Sequence, residues 1–367
     1  MATTQSQENR AKQPRKKNSS KASGIALDVD KSTFANLKLV AVAYSEVKRE
    51  WFPTEEAYEA EREVEGRAQQ VVAELEKLGI TAKGYPADPY FLTNLLVDHP
   101  DLVLNLVDTL RGRDALQTSI PAALELANIP YTGAGMRGMV IGNDRNLFKQ
   151  LLDANDIPTP DFQLISRRGS RINPELGLPL IVKLNESGGS VGIDNRAVKE
   201  TVKEAEEKVN EMLSTYHMPV VVERFIDGPE ITAVVFDDGQ RKHIFLAQKK
   251  FRKKPDGKHN FTSLESYSDP LSYTYTCLKD DTMERKLQGL VSKAFTALHN
   301  RDYAKFDIRV EEENGTPYFT DCNPNTAFGP SKGLPFTEVL DLYGVKFETV
   351  LASLISKHAK EIEKTHV

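Results

Sequence analysis

The chain has 367 residues, with hydrophobic residues at 40%, charged residues at 28% and a formal net charge of −5 at pH 7. That length favours two or three sub-domains sharing a cleft over a single core, and a mildly acidic balance excludes a general drive toward nucleic acid. Two cysteines, Cys277 and Cys322, exclude a disulfide framework; with no apolar leader near Met1 and no apolar run near the ~18 residues of a membrane span, the chain is expected to be cytoplasmic, with no membrane partner.

In chain order, residues 1–34 read as a disordered basic tail. Arg10, Lys12, Arg15, Lys16, Lys17 and Lys21 stand among Ser, Gln and Asn, with too little apolar surface to offset the entropy of ordering. The charge suits either a solubilising tail or an anion-binding or targeting arm. Residues 35–142 read as an open α/β domain. LKLVAVAY (37–44) is a buried strand, Val64, Ala68, Val71, Val72 and Leu75 recur at helical spacing up to a cap at Gly79, and DLVLNLVD (101–108) is another buried strand. A helix over 115–127 and a short IPYTG segment complete a β-α-β-α-β order.

Residues 143–240 change in texture. A helix over 143–154 leads into a Pro-punctuated connection, after which LPLIVKL (178–184), a glycine-rich turn, a charged helix over 199–213, VVVERFI (220–226) and ITAVVF (231–236) predict an antiparallel sheet with helices on one side. In residues 241–367 a long loop from Lys249 to Tyr275 precedes a helix over 282–300, two strands turning at Asn314 and Gly315, and a closing helix over 343–360.

Four constellations can carry chemistry. Asp307 in KFDIRV and Asp321 and Asn323 in FTDCNPN fall on adjacent strands, where oxygen donors suit a hard cation; capped strand-end turns are the plainer reading. Lys183, inside an apolar strand, precedes Ser187-Gly188-Gly189-Ser190-Val191-Gly192. Backbone N–H groups of such a turn can face a phosphate, unless it is simply a β-turn beside a snorkelling lysine. VVVERFIDGPE presents Glu223 and Glu230 at a strand end, as nucleotide contacts or as solvated charge, and Lys149 sits on the helix before the second domain, within reach of the nucleotide. The basic run Lys249, Lys250, Arg252, Lys253 and Lys254 fits an anionic substrate or a solvated loop. Gly133, Gly135 and Gly138 form a GxGxxG with Asp156 downstream, but they follow no long strand, so turn-forming glycines are favoured over NAD binding.

In this order, IPYTGAG with NDRNLFK, LPLIVKLNESGGSVGI, VVERFIDGPEITAVVF, and YAKFDIRV with FTDCNPN resemble the D-alanine–D-alanine ligase branch of the ATP-grasp superfamily, from Leu37 to the C-terminus. The resemblance implies an ATP-grasp fold, α/β with α+β character in its C-terminal part: an open parallel N-terminal domain and two sub-domains clamping a nucleotide. It implies an ADP-forming ligase using ATP with Mg²⁺, or Mn²⁺ in its place, on small-molecule carboxylate and amine substrates such as amino acids or peptides, in a homodimer built through the N-terminal domain. Lys149 and Lys183 match phosphate lysines, and Ser187, Gly188, Gly189 and Gly192 the phosphate-covering loop. Glu223, Arg224, Phe225 and Ile226 match the adenine segment and Glu230 the ribose contact. Asp307, Asp321 and Asn323 match metal ligands, and Ser190, Tyr267 and Lys305 catalytic positions.

Departures fall on the amino-acid side. The histidine-bearing HGxxGEDG signature is replaced by 105–114, NLVDTLRGRD; a serine of the loop pair is Gly189; a lysine before tyrosine is Ser266; an arginine is Lys305; and a glycine of the product-binding turn is Ala327. Lysine lacks the planar fork of arginine, so an oxyanion at Lys305 is held with less definition. These changes point to a substrate pair other than two alanines. They equally suit an ATP-binding regulatory or scaffold protein without turnover.

Overall fold

The computed structural model describes residues 25–265, 269 and 272–365. The basic stretch up to Lys21, Ser266 and Tyr267 lie outside the described residues. Residues 25–34, expected within the disordered tail, are instead packed. Leu27 and Phe34 are buried, and Asp30 accepts a bond at its carboxylate from Ser32 and caps the 3-10 turn Lys31–Asn36. The apolar groups that the preceding basic stretch lacks are present here, which is why this part can be ordered.

Three parallel strands form the N-terminal sheet in the order β2-β1-β3, with β1 (Val40–Tyr44) central, β2 (Ala82–Pro86) and β3 (Leu102–Leu106). β1 and β3 are buried throughout, as their continuous apolar runs require. β2 escapes sequence reading because AKGYP carries Lys, Gly and Pro, which an edge strand tolerates. IPYTG yields only a single parallel bridge, Tyr131 to Val103, since Pro130 has no N–H to give a ladder. Helices α1 (Glu55–Glu61), α2 (Val64–Lys77), α3 (Phe91–Asp98), α4 (Ser119–Leu126), α5 (Met136–Asn143) and α6 (Arg145–Asp153) follow in chain order among these strands. α2 buries Val64, Ala68, Val71 and Leu75 against the sheet.

The central sheet is antiparallel, β4-β7-β5-β6, from β4 (Phe162–Ile165), β5 (Leu180–Leu184), β6 (Val198–Lys199) and β7 (Val220–Arg224). Helix α7 (Val202–Tyr216) covers one face and starts from a Thr201–Glu204 capping box. The third sheet runs β10-β9-β8-β11-β12, from β8 (Glu230–Asp237), β9 (Lys242–Phe251), β10 (Tyr273–Cys277), β11 (Tyr303–Val310) and β12 (Pro317–Asn323). Helices α8 (Asp281–Ala297), α9 (Pro335–Leu342) and α10 (Phe347–Thr365) complete the described chain. Among the described residues, no helix is long and apolar enough to cross a membrane.

Two expectations shift. ITAVVF does not join VVVERFI in one sheet: β8 pairs with β9 and β11. The break lies at Asp227-Gly228-Pro229, where Gly228 has φ +140 and an added Cβ would stand 2.0 Å from the Val310 carbonyl oxygen. We therefore place the sub-domain division between Arg224 and Glu230 rather than at 240. Lys249 and Lys250, read as loop, end strand β9, where they pair with Tyr275 and Thr274.

The GxGxxG glycines and Gly142, further along α5, do more than turn. Gly133 turns at φ +88, but Gly138 lies inside α5, where a Cβ would stand 2.4 Å from the His299 carbonyl oxygen, and Gly142 faces Pro324 at 2.5 Å. They let α5 approach the C-terminal sub-domain. Gly138→Ala meets backbone that cannot rotate away, so it is expected to cost about 1–3 kcal/mol despite the better helix propensity of alanine. A thermal melt unchanged from the parent would contradict this packing role.

Candidate active site

The cleft lies where the three sheets converge, and strand alternation builds its floor. On β11, Phe306 and Ile308 enter the core beneath α6 and α8, so Lys305, Asp307 and Arg309 face the other way, into the cleft. On β12 strict alternation would put Phe319, Asp321 and Asn323 on one face. A bulge prevents it: Asp321 pairs with Asp307 but Phe319 with Ile308, leaving Thr320 as the extra residue, its hydroxyl donating to the Asp307 carbonyl at 3.0 Å. Phe319 and Cys322 thus stay in the core while Asp321 and Asn323 line the cleft beside Asp307.

Both carboxylates carry cations. Lys305 bonds Asp307, and Arg145 Nη2 donates to Asp321 Oδ2 at 2.6 Å. Burial alone would push the Asp307 carboxyl up; Lys305 and Lys249 outweigh it and hold it low. Arg145, the first residue of α6, also donates through Nη1 to the carbonyls of Leu184 (2.7 Å) and Ser187 (2.6 Å), tying the glycine-rich loop to this floor.

Glu223 is 1% exposed and lies between two ammonium groups, Lys149 at 2.6 Å and Lys183. Burial would raise its carboxyl, but the two lysines hold it at about 2. Lys183 reaches the cleft. Lys149 is fully buried behind Glu223, also meeting Thr159 Oγ1 at 3.1 Å, and does not line the cleft wall. Glu230 accepts from Lys249 (2.7 Å), Thr262 (2.5 Å) and Arg309 (3.0 Å). Ile181, Ile193, Phe225 and Phe261 make an apolar shelf beside it, with Ile226 next to it on the wall.

Ser187, Gly188, Gly189 and Ser190 cover the cleft. Gly189 and Ser190 are both left-handed, at φ +61 and +60. Gly192, at φ +78, instead sits against α7, an added Cβ standing 2.9 Å from Met212. Arg224 also turns away, to Glu311 at 2.6 Å and over the Tyr318 ring, because alternation sends residue 224 to the face opposite 223 and 225. The N-terminal wall is acidic: Glu61, Asp108 and Asp114 face Arg67, which pairs with Asp108 at 3.2 Å. Burial raises Asp108 and Asp114 to about 6.

Arg145, Thr262, Arg309 and the acidic wall are not among the residues the sequence points to, and Lys249 lies in β9 rather than in the predicted loop. Arg309 was accessible from its i+2 and i+4 spacing to Asp307 and Lys305, and Lys249 from ending an apolar strand as Lys183 does. Asp108 and Asp114 stand in the 105–114 stretch that replaces the family signature, whereas Glu61 has no local signal.

Depressed buried carboxylates stabilise the fold above the ordinary carboxylate range and lose that contribution as pH falls toward their own values. Glu223 and Asp302 are of this kind; Asp302, fully buried, accepts from the Gly133 N–H (2.7 Å) and pairs with Lys357 and His358, whose charges with Arg301 outweigh burial and hold it very low. Urea midpoints are expected to be level or slightly higher toward about pH 5, where Asp108 and Asp114 take up protons, and to fall steeply below about pH 4. Equal stability at about pH 3 and pH 7 would contradict these pairings.

Residues 151–356 match the family model described as D-ala D-ala ligase C-terminus. The D-alanine–D-alanine ligase of Chromohalobacter salexigens is 30% identical over 290 residues, 76% of this chain and 87% of that protein. That of Paracidovorax citrulli is 27% identical over 249 residues, 67% of this chain and 72% of that protein. In fold, the chain is similar to a D-alanine–D-alanine ligase from Bacillus anthracis complexed with ATP, with TM-score 0.68 and 19% identity over 89% of this chain and 99% of that one. A D-Ala:D-Ser ligase from Enterococcus faecalis gives 0.62 and 16% over 88% and 99%. The chain belongs to the D-alanine–D-alanine ligase family, ATP-grasp enzymes that are ATP-dependent, ADP-forming carboxylate–amine ligases.

Proposed function

We propose that this cleft binds ATP and a divalent cation and joins two amino-acid-type substrates other than a pair of D-alanines. Adenine lies on the shelf of Ile181, Ile193, Phe225 and Phe261, its edge read by backbone around Ile226, with the ribose beside Glu230. The phosphates run beneath the loop Ser187–Ser190 toward Lys183, whose height Glu223 fixes. The observation carrying this reading is the Asp307–Asp321 cross-strand pair facing Lys183 across one cleft.

The donors fit Mg²⁺ or Mn²⁺: two adjacent carboxylates and the Asn323 amide are all oxygen ligands, and cations already neutralise both acids. Among the described residues no group of three or more His, Cys, Asp and Glu side chains forms a metal site, so substrate phosphates and water would complete the shell. When bound, the ion offsets charge on the transferred phosphoryl group.

The donor carboxylate attacks the γ-phosphorus and ADP departs; the amine then attacks the acyl carbon and phosphate leaves. Lys305 and the Ser190 hydroxyl face the reacting centre, where an ammonium and an O–H donor can hold the oxyanion of the tetrahedral species. Asp108 and Glu61 suit a substrate ammonium. Positioning and electrostatics supply the catalysis. ADP release measured over a panel of D- and L-amino acids and dipeptides tests the reading. ATP binding with no pair giving ADP would instead mark a regulatory nucleotide-binding protein.

A further inference from the structure

The loop over the cleft is gripped on both sides of its 187–188 peptide, and only one of the two grips comes from the nucleotide-binding half. Arg145 holds the Leu184 and Ser187 carbonyls from below. On the other side of the same peptide the Gly188 N–H donates to Asp114 Oδ2 at 2.6 Å, a charge-assisted bond spanning 74 residues from the N-terminal domain. The neighbouring Gly189 lies against Ala60 of α1, an added Cβ standing 3.4 Å from its Cβ. Ser190 holds a left-handed conformation, which in a residue with a Cβ persists where the surroundings fix it.

We propose that Asp114 is a positioning residue that latches the phosphate-covering loop to the N-terminal domain, so that the acidic substrate wall and the nucleotide cover close as one unit. Asp114 stands among Asp108, Glu61, Arg145 and the Thr109 hydroxyl, and the Gly188 N–H is the hydrogen bond that ties its carboxylate to the loop. With the latch made, water is kept from the acyl-phosphate until the amine arrives. With it broken, the loop opens locally and ADP forms without amide.

This inference rests on the ligase reading above, but its first test does not need turnover. Hydrogen exchange at amides 187–191 is compared in the parent, Asp114→Ala and Asp114→Asn. Alanine removes the acceptor and is expected to speed exchange there by about tenfold or more. Asparagine keeps an acceptor oxygen and is expected to restore slow exchange. With an active substrate pair, the alanine variant is expected to raise KM for ATP and give more ADP than amide, and the asparagine variant to stay near one to one. Unchanged loop exchange in a folded alanine variant, or an asparagine variant as fast as alanine, overturns the latch. If no pair gives ADP with the parent, the ligase reading fails while the exchange result still decides the latch.

Discussion

Asp321→Ala is expected to abolish ADP formation, by about a thousandfold or more, in a protein that still folds. The side chain is a quarter exposed at the cleft floor, so its removal opens no core cavity. It faces Asp307 directly and takes the Arg145 guanidinium that also holds the loop. One substitution therefore removes a proposed cation ligand and loosens the clamp on the loop carbonyls. Asp321→Asn keeps the Arg145 contact without the charge, and is expected to hold the loop yet remain nearly inactive. Full ADP release by either variant would remove Asp321 from the reaction.

Glu223→Ala is expected to destabilise the chain by about 3–5 kcal/mol, among the largest single effects available. Two ammonium groups would be left facing each other, one of them, Lys149, with no exposure at all. The ATP-binding half should suffer with the fold, because Lys183 loses the group that aims it. Glu223→Gln, which keeps the shape and removes the charge, is expected to lose much of the same stability. A urea midpoint close to the parent for both variants would show that the buried triad is not what holds β5 to α6.

The cleft floor and the strand bearing Glu223 are legible in the sequence because each rests on local pattern, apolar alternation with a charged residue where a polar one is unexpected, and the family through the order of its four motifs. Lys183, Glu223, Asp307 and Asp321 all announce themselves in that way. What escaped was decided by pairing between distant segments. The bulge at Thr320, which sends Asp321 and Asn323 to the cleft face, depends on register with β11. Arg145 reads as an ordinary first-turn helix residue until the loop and β12 are beside it. Arg224 and Lys149 were credited with cleft contacts from their place in a motif, whereas strand alternation and depth of burial turn one away and shut the other behind Glu223.

In the proposed reaction one ion is gripped between the last hairpin and the nucleotide. Crystals grown with Mn²⁺ and a non-hydrolysable ATP analogue test it through the anomalous signal of manganese. A peak within about 2.0–2.3 Å of Asp307 and Asp321 oxygens, with Asn323 alongside and phosphate oxygens completing the shell, is the predicted result. Nucleotide bound in the cleft with the metal away from both carboxylates, and Lys305 and Arg145 still seated on them, would contradict it.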